Sequence, residues 1–350
     1  MIYLDANATT AIDPQVLAAM AAEFAAGPAN ASSLHAYGQR ARGVLRKARE
    51  TVARCVGAKA DEVVFTSGGT EAMNALIRGL PAGHVVGCRI DHSCVVKALR
   101  EPVSWVEVGL WGAPRVDDVL AAVRPDTVAV VLTWANSETG VKLDVEELAK
   151  RLTVPLILDA VGIVGREQVL MLPGVAAMAM SAHKFHGPKG VGAMVVRPSL
   201  RLKPLMMGGP QERGLRPGTE PLPEIVGMAE ALQKGSGHVR ELRDRFEAGL
   251  RDIAQVNGEG PRVPHVSNLY FPGVDGEGLL MRLDQMGVAA SHGSACASGA
   301  LEPSHVLLGM GYSRERVRQS IRFSLHRFLT AEEVDRAIQI IRTACGRGAI

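Results

Sequence analysis

Aromatic residues and cysteines are scarce in this sequence, and both shortages narrow what the protein can be. Only 4% of the 350 residues are Phe, Trp or Tyr, so the 47% hydrophobic fraction consists mainly of aliphatic residues and 13 methionines. With so few rings, a stacking platform for nucleic-acid bases is not expected. The five cysteines are odd in number and include no Cys-x-x-Cys pair, which argues against a disulfide framework and a zinc site. We therefore expect reduced thiols, no metal and no direct nucleic-acid binding.

Long apolar runs and an excess of one charge are also missing. The best apolar run, residues 127–134, is far shorter than the roughly 18 residues that a membrane-spanning helix needs. The N-terminus lacks the basic segment and apolar block of a signal peptide, since Asp5 and Asp13 interrupt it. The net charge of +3 gives no signal for a nucleic-acid or membrane partner. These absences predict a cytoplasmic protein with no membrane partner.

Alternating apolar and amphipathic segments up to about residue 200 predict an α/β domain. Asp13 and Pro14 form an N-cap and first-turn pair that opens a helix to about residue 24, and a second helix is predicted over 33–56. Strand-like runs then alternate with helical segments, which predicts a mainly parallel sheet covered by helices on both faces. The predicted strands span residues 63–66, 84–88, 105–108, 127–134, 156–159, 176–181 and 192–196.

The pattern changes beyond the last of these strands. Residues 203–223 are rich in Gly and Pro and are interpreted as an ordered loop, which a long polar helix over about 223–256 follows. The remaining predicted elements are a strand at 266–271, a helix at 278–286, and two final helices flanking a strand at 320–325. The chain length suits two domains. We predict a large α/β domain over 14–222 and a smaller α+β domain formed by 1–13 and 223–350.

In an open α/β sheet, ligands bind beyond the carboxyl ends of the strands, so the residues that follow each strand are candidates. The first candidate is the Ser-Gly-Gly-Thr turn at 67–70. Backbone N–H groups at a helix start could hold a phosphate there, although a simple tight turn would leave the same pattern. The second is Asp159, whose carboxylate could cap a helix, hold a metal or face a protonated heteroaromatic nitrogen. The sequence leaves these alternatives open.

Two further candidates carry a nucleophile. Lys184 follows an apolar strand and His183, and burial beside other cations would lower its pKa toward a reactive neutral amine. Cys296 lies among Gly, Ser and Ala residues, where a thiolate would be accessible to a substrate. A solvated lysine and a packed cysteine are the ordinary alternatives, and Lys189 is interpreted as solvent-facing. The remaining cysteines fit packing roles; they are Cys55, Cys88, Cys94 and Cys345.

Nine segments in chain order resemble those of the cysteine desulfurases of the NifS and IscS type, which are class-V aminotransferases with the fold-type-I pyridoxal-phosphate architecture. The segments are YLDANATT (3–10), NASSLH (30–35), TSGGTEAMN (66–74), IDHSCV (90–95), NSETG (136–140), SAHKFHGPKG (181–190), RGLRPGTE (213–220), SHGSACASGALEPSHVL (291–307) and SIRFSL (320–325). The resemblance spans nearly the whole chain, and the spacing from Lys184 to Cys296 is also similar. It implies a seven-stranded, mainly parallel sheet in the large domain.

Carried over residue by residue, the resemblance implies a site for pyridoxal phosphate. Lys184 would form the Schiff base, Asp159 would pair with the pyridinium nitrogen, and His92 would stack on the ring and move protons. The implied catalytic residues are Lys184, Cys296 and His92. The implied cofactor-binding residues are Gly69, Thr70, His92, Ser137, Asp159, Ser181, His183, Lys184 and Thr219, the last contributed by the second subunit of a homodimer.

The same resemblance implies that Arg322 clamps the substrate carboxylate, with Asn136 as a second substrate-binding residue. The implied reaction converts L-cysteine to L-alanine and leaves a persulfide on Cys296. A long loop would carry that sulfur to an acceptor protein of the iron–sulfur scaffold or tRNA-thiolation type. The alternatives are a selenocysteine lyase, another pyridoxal-phosphate β-lyase or aminotransferase, and a catalytically impaired sulfur-relay or scaffold protein.

Three positions depart from the family pattern. The family usually has a second Asn where this chain has Ser137, and a Gln where it has Gly162. The family's Gln contacts the phenolic oxygen of the cofactor, and its Asn contacts that oxygen or the substrate, so two contacts are weakened together. His186 replaces a Tyr, which is a milder change. The departures could slow turnover, change the substrate, or be compensated by water and Ser137, but they leave Lys184, Asp159 and Cys296 untouched.

Overall fold

A computed structural model describes residues 1–293 and 303–346 of the chain. Its strands are β1 (Ile2–Tyr3), β2 (Val63–Thr66), β3 (His84–Cys88), β4 (Val103–Val106), β5 (Thr127–Thr133), β6 (Leu156–Asp159), β7 (Val175–Ser181), β8 (Gly192–Val196), β9 (Gln255–Val256), β10 (Val266–Tyr270), β11 (Val288–Ala289) and β12 (Ser320–Ser324). Its helices are α1 (Pro14–Ala25), α2 (Ala36–Cys55), α3 (Gly69–Arg78), α4 (Ser93–Val96), α5 (Val116–Ala121), α6 (Val145–Arg151), α7 (Leu222–Leu232), α8 (Val239–Ala248), α9 (Gly276–Gln285), α10 (His305–Gly309), α11 (Arg314–Arg318) and α12 (Ala331–Ala344). In these two stretches, no helix is both long and apolar enough to cross a membrane.

Seven strands form the main sheet, in the order β2-β8-β7-β6-β5-β3-β4. Strands β7, β6, β5, β3 and β4 pair in parallel, whereas β8 is antiparallel to its neighbours β7 and β2. The prediction of a mainly parallel seven-stranded sheet is confirmed. Because the parallel strands point their carboxyl ends to one edge, the residues that follow β5, β6 and β7 come together there.

Helices cover both faces of this sheet, and the strand sequences explain why. Consecutive residues of a strand point to opposite faces. Val130 and Leu132 of β5 belong to one buried cluster with residues of α1, α2 and α7, whereas Ala129 and Val131 belong to another with residues of α3. Strands β6, β7 and β8 are buried along their whole length, as expected for a sheet that has no solvent-facing side.

A smaller group of elements has its own hydrophobic cluster. Strand β10 lies between β12 and β9 in an antiparallel sheet, and β1 pairs in parallel with β11. Leu4 joins Phe246, Phe323 and Ile338 in the core of this group, so the start of the chain packs against its C-terminal part. This is the α+β arrangement expected of a small second unit, while the domain boundaries at residues 13 and 222 stay a prediction.

Two predicted elements are wrong. The long helix predicted over 223–256 is two helices, α7 and α8, followed by strand β9. Gly235 and Gly237 lie between the helices, and Gly237 has a φ of 55°, a left-handed conformation that interrupts a helix. The strand predicted at 105–108 is displaced toward the N-terminus, as β4. The loop predicted over 203–223 also contains a short 3₁₀ turn, Gln211–Gly214.

Candidate functional site

A cavity of about 310 Å³ lies at the carboxyl edge of the main sheet. Thr133, Asp159 and Ser181, the last residues of β5, β6 and β7, all line it. This is the place where an open α/β sheet binds ligands. Ten of the residues predicted from the sequence line the cavity: Gly69, Thr70, His92, Asn136, Ser137, Asp159, Ser181, His183, Lys184 and Arg322.

Lys184 lies in a 3₁₀ turn, Ala182–Lys184, directly after β7. Its Nζ donates to the carbonyl oxygen of Asn7 at 2.5 Å and to that of Ala8 at 3.1 Å, so the N-terminal segment orients the amine. Burial lowers the pKa of the adjacent His183 to about 4, and the Lys184 charge acts in the same direction. His183 is therefore neutral at pH 7 and adds no second positive charge beside the amine. Lys189 is exposed, as predicted.

Asp159 is buried at the end of β6, and its Oδ1 accepts a hydrogen bond from the Val161 amide at 3.0 Å. Burial raises the pKa of this carboxyl, while the Val161 amide and the positive charge of Lys184 oppose the rise. No helix begins in the described stretch 160–170, so the helix-cap alternative for Asp159 is wrong. A cation placed opposite this buried group would stabilise its ionised form.

His92 is the N-cap residue of α4, and its Nδ1 accepts the amide hydrogen of Cys94 at 3.2 Å. A backbone amide can only donate, so Nδ1 carries a lone pair and the neutral ring holds its proton on Nε2. Burial lowers the pKa of His92, although the nearby Asp159 carboxylate opposes the shift. The ring is therefore neutral at pH 7. Its predicted stacking on a cofactor stays a prediction.

Gly69 and Thr70 begin α3, a ten-residue helix whose N-terminus meets the cavity. A Cβ at Gly69 would lie 2.6 Å from Cγ2 of Val161, so the close approach of the two chain segments requires glycine. Backbone N–H groups at a helix start attract a phosphate. The hydroxyl of Ser181 and the neutral ring of His183 line the same cavity and supply further hydrogen-bonding groups.

Arg322 lies in the middle of β12 and is 2% exposed. Its guanidinium donates to Oδ1 of Asp5 at 2.7 Å and to the carbonyl oxygen of Ser137 at 3.2 Å. Its Nε has no partner among the described residues. A buried N–H that lacks an acceptor is costly, and a carboxylate in the cavity would supply one. Arg322 therefore has the chemistry expected of the predicted substrate clamp.

Asn136 has a structural role that the sequence did not suggest. Its Nδ2 donates to the carbonyl oxygen of Ile90 at 3.1 Å, and its Oδ1 accepts the amide hydrogens of Glu138 at 2.9 Å and Thr139 at 3.1 Å. These bonds hold the loop that carries Ser137 against the segment before His92. The predicted contact of Asn136 with the substrate stays a prediction.

Two predicted residues do not join the others. Thr219 is exposed in the loop between β8 and α7 and does not line the cavity of its own chain. Cys296 lies outside the described residues. Of the departures from the family pattern, Ser137 and Gly162 both line the cavity, whereas His186 is buried and donates from Nδ1 to the carbonyl oxygen of Ala11 at 2.8 Å.

The sequence interpretation missed part of the cavity wall. Asn7 belongs to a family-like segment but received no role, and its Nδ2 donates to the carbonyl oxygen of Ser137 at 2.8 Å. Cys94 packs on the hydrophobic core, as predicted, but it also lines the cavity. Arg166 and His265 were not singled out at all, since neither lies in a recognisable motif.

Arg166 and His265 are both buried in this wall. Burial lowers the pKa of Arg166 to about 9, and the charge of Arg327 adds to that effect. Arg166 donates to the carbonyl oxygens of Ala6 and Leu325, which fastens the N-terminal segment to the end of β12. Burial and three neighbouring arginines hold the pKa of His265 well below its usual value, and neither of its ring nitrogens has a partner in the described parts of the chain.

The cavity fits the predicted pyridoxal phosphate. Such a cofactor presents an aldehyde, a pyridinium nitrogen and a phosphate. Lys184 offers an amine, Asp159 a buried carboxylate, and the start of α3 a set of backbone donors. The unpaired Nε of Arg322 leaves hydrogen-bonding capacity for a substrate anion in addition. The residues of this chain thus offer a partner for each of these three groups of the cofactor.

Comparison with known proteins agrees with the resemblance in the sequence. The model of the Aminotransferase class-V family matches residues 2–337. The Cysteine desulfurase of Nostoc sp. is 38% identical over 97% of this chain and 92% of that protein. The Cysteine desulfurase IscS of Anaeromyxobacter dehalogenans is 41% identical over 97% and 91%. A solved structure of a NifS-like protein covers 98% of both chains, with a TM-score of 0.89 and 30% identity.

Proposed function

Because this chain belongs to the class-V aminotransferase family, as a relative of the cysteine desulfurases, we propose that it is a pyridoxal-phosphate-dependent cysteine desulfurase. It converts L-cysteine to L-alanine and transfers the sulfur to Cys296 as a persulfide. The observation that carries the proposal is the cavity that holds Lys184, Asp159 and Arg322 together. An amine, a buried carboxylate and a fixed guanidinium match the cofactor and an amino-acid substrate.

The cofactor, when bound, supplies an electron sink for negative charge that develops on the substrate carbon. Arg322 binds the substrate carboxylate, and its bonds to Asp5 and Ser137 hold the guanidinium still. Lys184 holds and moves the substrate's α proton at Nζ. Asp159 would provide a carboxylate for the cofactor's ring nitrogen, and its burial would keep water away from that contact. The neutral His92 ring carries its proton on Nε2, which is the ring atom that can donate a hydrogen bond.

The proposal includes a homodimer in which Thr219 completes the neighbour's site. Thr219 is exposed, and the same loop exposes the apolar side chains of Met206 and Met207, which an interface would cover. A sulfur-acceptor protein of the iron–sulfur scaffold or tRNA-thiolation type would then receive the persulfide sulfur. The cytoplasmic location also stays a prediction.

An assay of alanine and persulfide from L-cysteine tests the function. We expect Lys184→Ala to abolish alanine formation and Cys296→Ser to abolish the persulfide on that residue. Lys189→Ala is the matched control, since Lys189 is an exposed lysine of the same segment, and it should behave as wild type. Wild-type protein that stays colourless with pyridoxal phosphate and forms no alanine would support the scaffold alternative. Faster turnover of L-selenocysteine than of L-cysteine would support the lyase alternative.

A further inference from the structure

A second thiol, that of Cys94, lies in the same cavity. Cys94 is the second residue of α4, is partly exposed, and lines the cavity with Lys184 and Arg322. Its Sγ lies 3.0 Å from Nδ1 of His92, which is within hydrogen-bond distance for sulfur. Thiol and imidazole therefore form a pair on the cavity wall.

The protonation of His92 makes this a pairing of a thiol with a base. The amide of Cys94 donates to Nδ1, so Nδ1 carries a lone pair and the neutral ring is protonated at Nε2. A lone pair beside a thiol can take its proton and release the thiolate, which is the nucleophilic form of cysteine. The geometry thus supplies both a nucleophile and the base that activates it.

The other described cysteines near the main sheet lack this setting. Cys88 is 1% exposed, and burial raises the pKa of its thiol far above the usual range. Burial also raises the pKa of Cys55, at the end of α2. Neither residue lines the cavity. They are therefore internal controls for the reactivity of Cys94.

The cavity wall that carries Cys94 also has unmet hydrogen-bonding capacity. Both ring nitrogens of His265, which is 1% exposed, and the Nε of Arg322 have no partner within 1–293 and 303–346. Both side chains line this cavity. Buried polar groups are normally paired, so their presence here points to a polar ligand that binds in the cavity that Cys94 lines.

We propose that Cys94 is a second sulfur-accepting residue, which takes sulfur from L-cysteine as a Cys94 persulfide; this rests on the function proposed above. The thiol proton passes to Nδ1 of His92, and the thiolate forms an S–S bond with the substrate sulfur. The Cβ–S bond breaks, its electron pair stays on carbon, and that carbon takes up one proton. The products are alanine and the persulfide, so both sulfur atoms are oxidised by one electron each while the carbon gains two electrons.

Peptide mapping separates the two acceptors. Trypsin places Cys94 in residues 90–97, Cys88 in 79–89 and Cys296 in 283–314, one cysteine in each. The holoenzyme and its variants are incubated with L-cysteine, alkylated and digested. Mass spectrometry then shows which peptide carries one added sulfur atom. In Cys296→Ser we expect the sulfur on 90–97 and none on 79–89. Cys94→Ala in that background, and Lys184→Ala, should each remove it.

The outcomes distinguish failure of this proposal from failure of the proposed cysteine desulfurase function. One outcome overturns the role of Cys94 and leaves the desulfurase function intact. In that outcome the wild type carries sulfur on peptide 283–314, and peptide 90–97 carries none in either the wild type or Cys296→Ser. Absence of both alanine and peptide-bound sulfur in the wild type overturns the function and this proposal together.

A measurement independent of turnover tests the thiol–imidazole pair. The full-length protein is alkylated with iodoacetamide without added cofactor, and the rate is followed for each cysteine peptide. We expect Cys94 to react at least about tenfold faster than Cys88 or Cys55, because its proton has an adjacent acceptor. His92→Ala should slow Cys94 and leave Cys55 unchanged. Equal rates for Cys94 and Cys55 in the wild type would show that the pair does not activate the thiol.

Discussion

Individual buried residues set the charge around the cavity, and Asp91 is the clearest case. Asp91 precedes His92, is almost fully buried, and accepts the Thr133 amide hydrogen at Oδ2 over 3.2 Å. Burial raises the pKa of this carboxyl to about 8, and the nearby Asp159 carboxylate adds to the rise. Asp91 is therefore protonated at neutral pH and adds no negative charge beside Asp159.

We expect Asp91→Asn to raise the melting temperature, and to raise it more at pH 9 than at pH 5. Between the unfolded value of 3.8 and the folded value of about 8, only the unfolded chain loses the Asp91 proton, so wild-type stability falls as the pH rises through that window. Asn has no such proton and keeps an oxygen for Thr133. Asp126→Asn is the control, since Arg124 lowers the pKa of that exposed carboxyl and its effect should be equal at both pH values. A gain for Asp91→Asn that does not grow with pH contradicts the assignment.

The backbone around Gly162 leaves too little space for a side chain. The family's Gln has been replaced by glycine, and a Cβ at this position would lie 2.6 Å from the carbonyl oxygen of Ala135. We expect Gly162→Gln to destabilise the protein by about 1–3 kcal/mol in urea unfolding, because backbone must move to admit the side chain. Gly43→Ala, in α2 where a Cβ meets nothing within 4 Å, should instead stabilise it by up to about 1 kcal/mol. If both variants raised the free energy of unfolding equally, the close approach between position 162 and the Ala135 carbonyl oxygen would be refuted.

Among the elements, the loop between β8 and α7 is anchored to α2 and β2 by a buried ion pair. The Glu212 carboxylate accepts two hydrogen bonds from Arg49 of α2, at 2.6 and 2.5 Å, and one from the Phe65 amide of β2, at 2.9 Å. Glu212 and Arg213 have φ values of 46° and 58°, so the backbone is held in a left-handed turn at this point. The pair thereby fixes the loop that carries Thr219.

We expect Glu212→Gln to lower the free energy of unfolding by about 3 kcal/mol, because it leaves the Arg49 guanidinium without a counter-charge beside a buried amide. The comparison is Asp335→Asn, which breaks the exposed pair with Arg245 and should cost far less, because solvent screens an exposed ion pair. Urea unfolding of the two variants measures the difference. Similar costs for both would mean that Glu212 does not pin the loop.

The elements also show what a sequence can and cannot predict. Buried parallel strands are continuous apolar runs, so six of the seven strands of the main sheet were predicted to within one residue. The break between α7 and α8 was missed because helical periodicity continues in the polar residues on both sides of Gly235 and Gly237. In the cavity, Lys184 and Asp159 follow strands and were found. His265 was not, because it lies in no recognisable motif, and Cys94 was assigned a packing role because the sequence does not show that its side chain lines the cavity.

At the scale of the whole molecule, the first 13 residues join the parts that surround the cavity. β1 pairs with β11, the Asp5 carboxylate binds Arg322, and the Thr10 hydroxyl donates to the carbonyl oxygen of His183 at 2.8 Å. The same segment accepts the hydrogen bonds of Lys184 at Asn7. Both the amine and the guanidinium are therefore oriented by one short stretch, which neither the strand pattern nor the spacing of motifs could reveal.

Completion of the site by a second subunit can be tested by mixing inactive variants. If Thr219 acts in the neighbour's cavity, a heterodimer of Lys184→Ala with Thr219→Ala has one site with both native residues, whereas each homodimer has none. Random reassembly after mild denaturation should then restore about a quarter of the wild-type sites, measured as alanine formed. If Thr219 acts within its own chain, every site in the mixture keeps one defect, and activity stays at the mean of the two separate variants. Lys184→Ala mixed with Lys189→Ala is the control for reassembly, because Lys189 is exposed and outside the cavity.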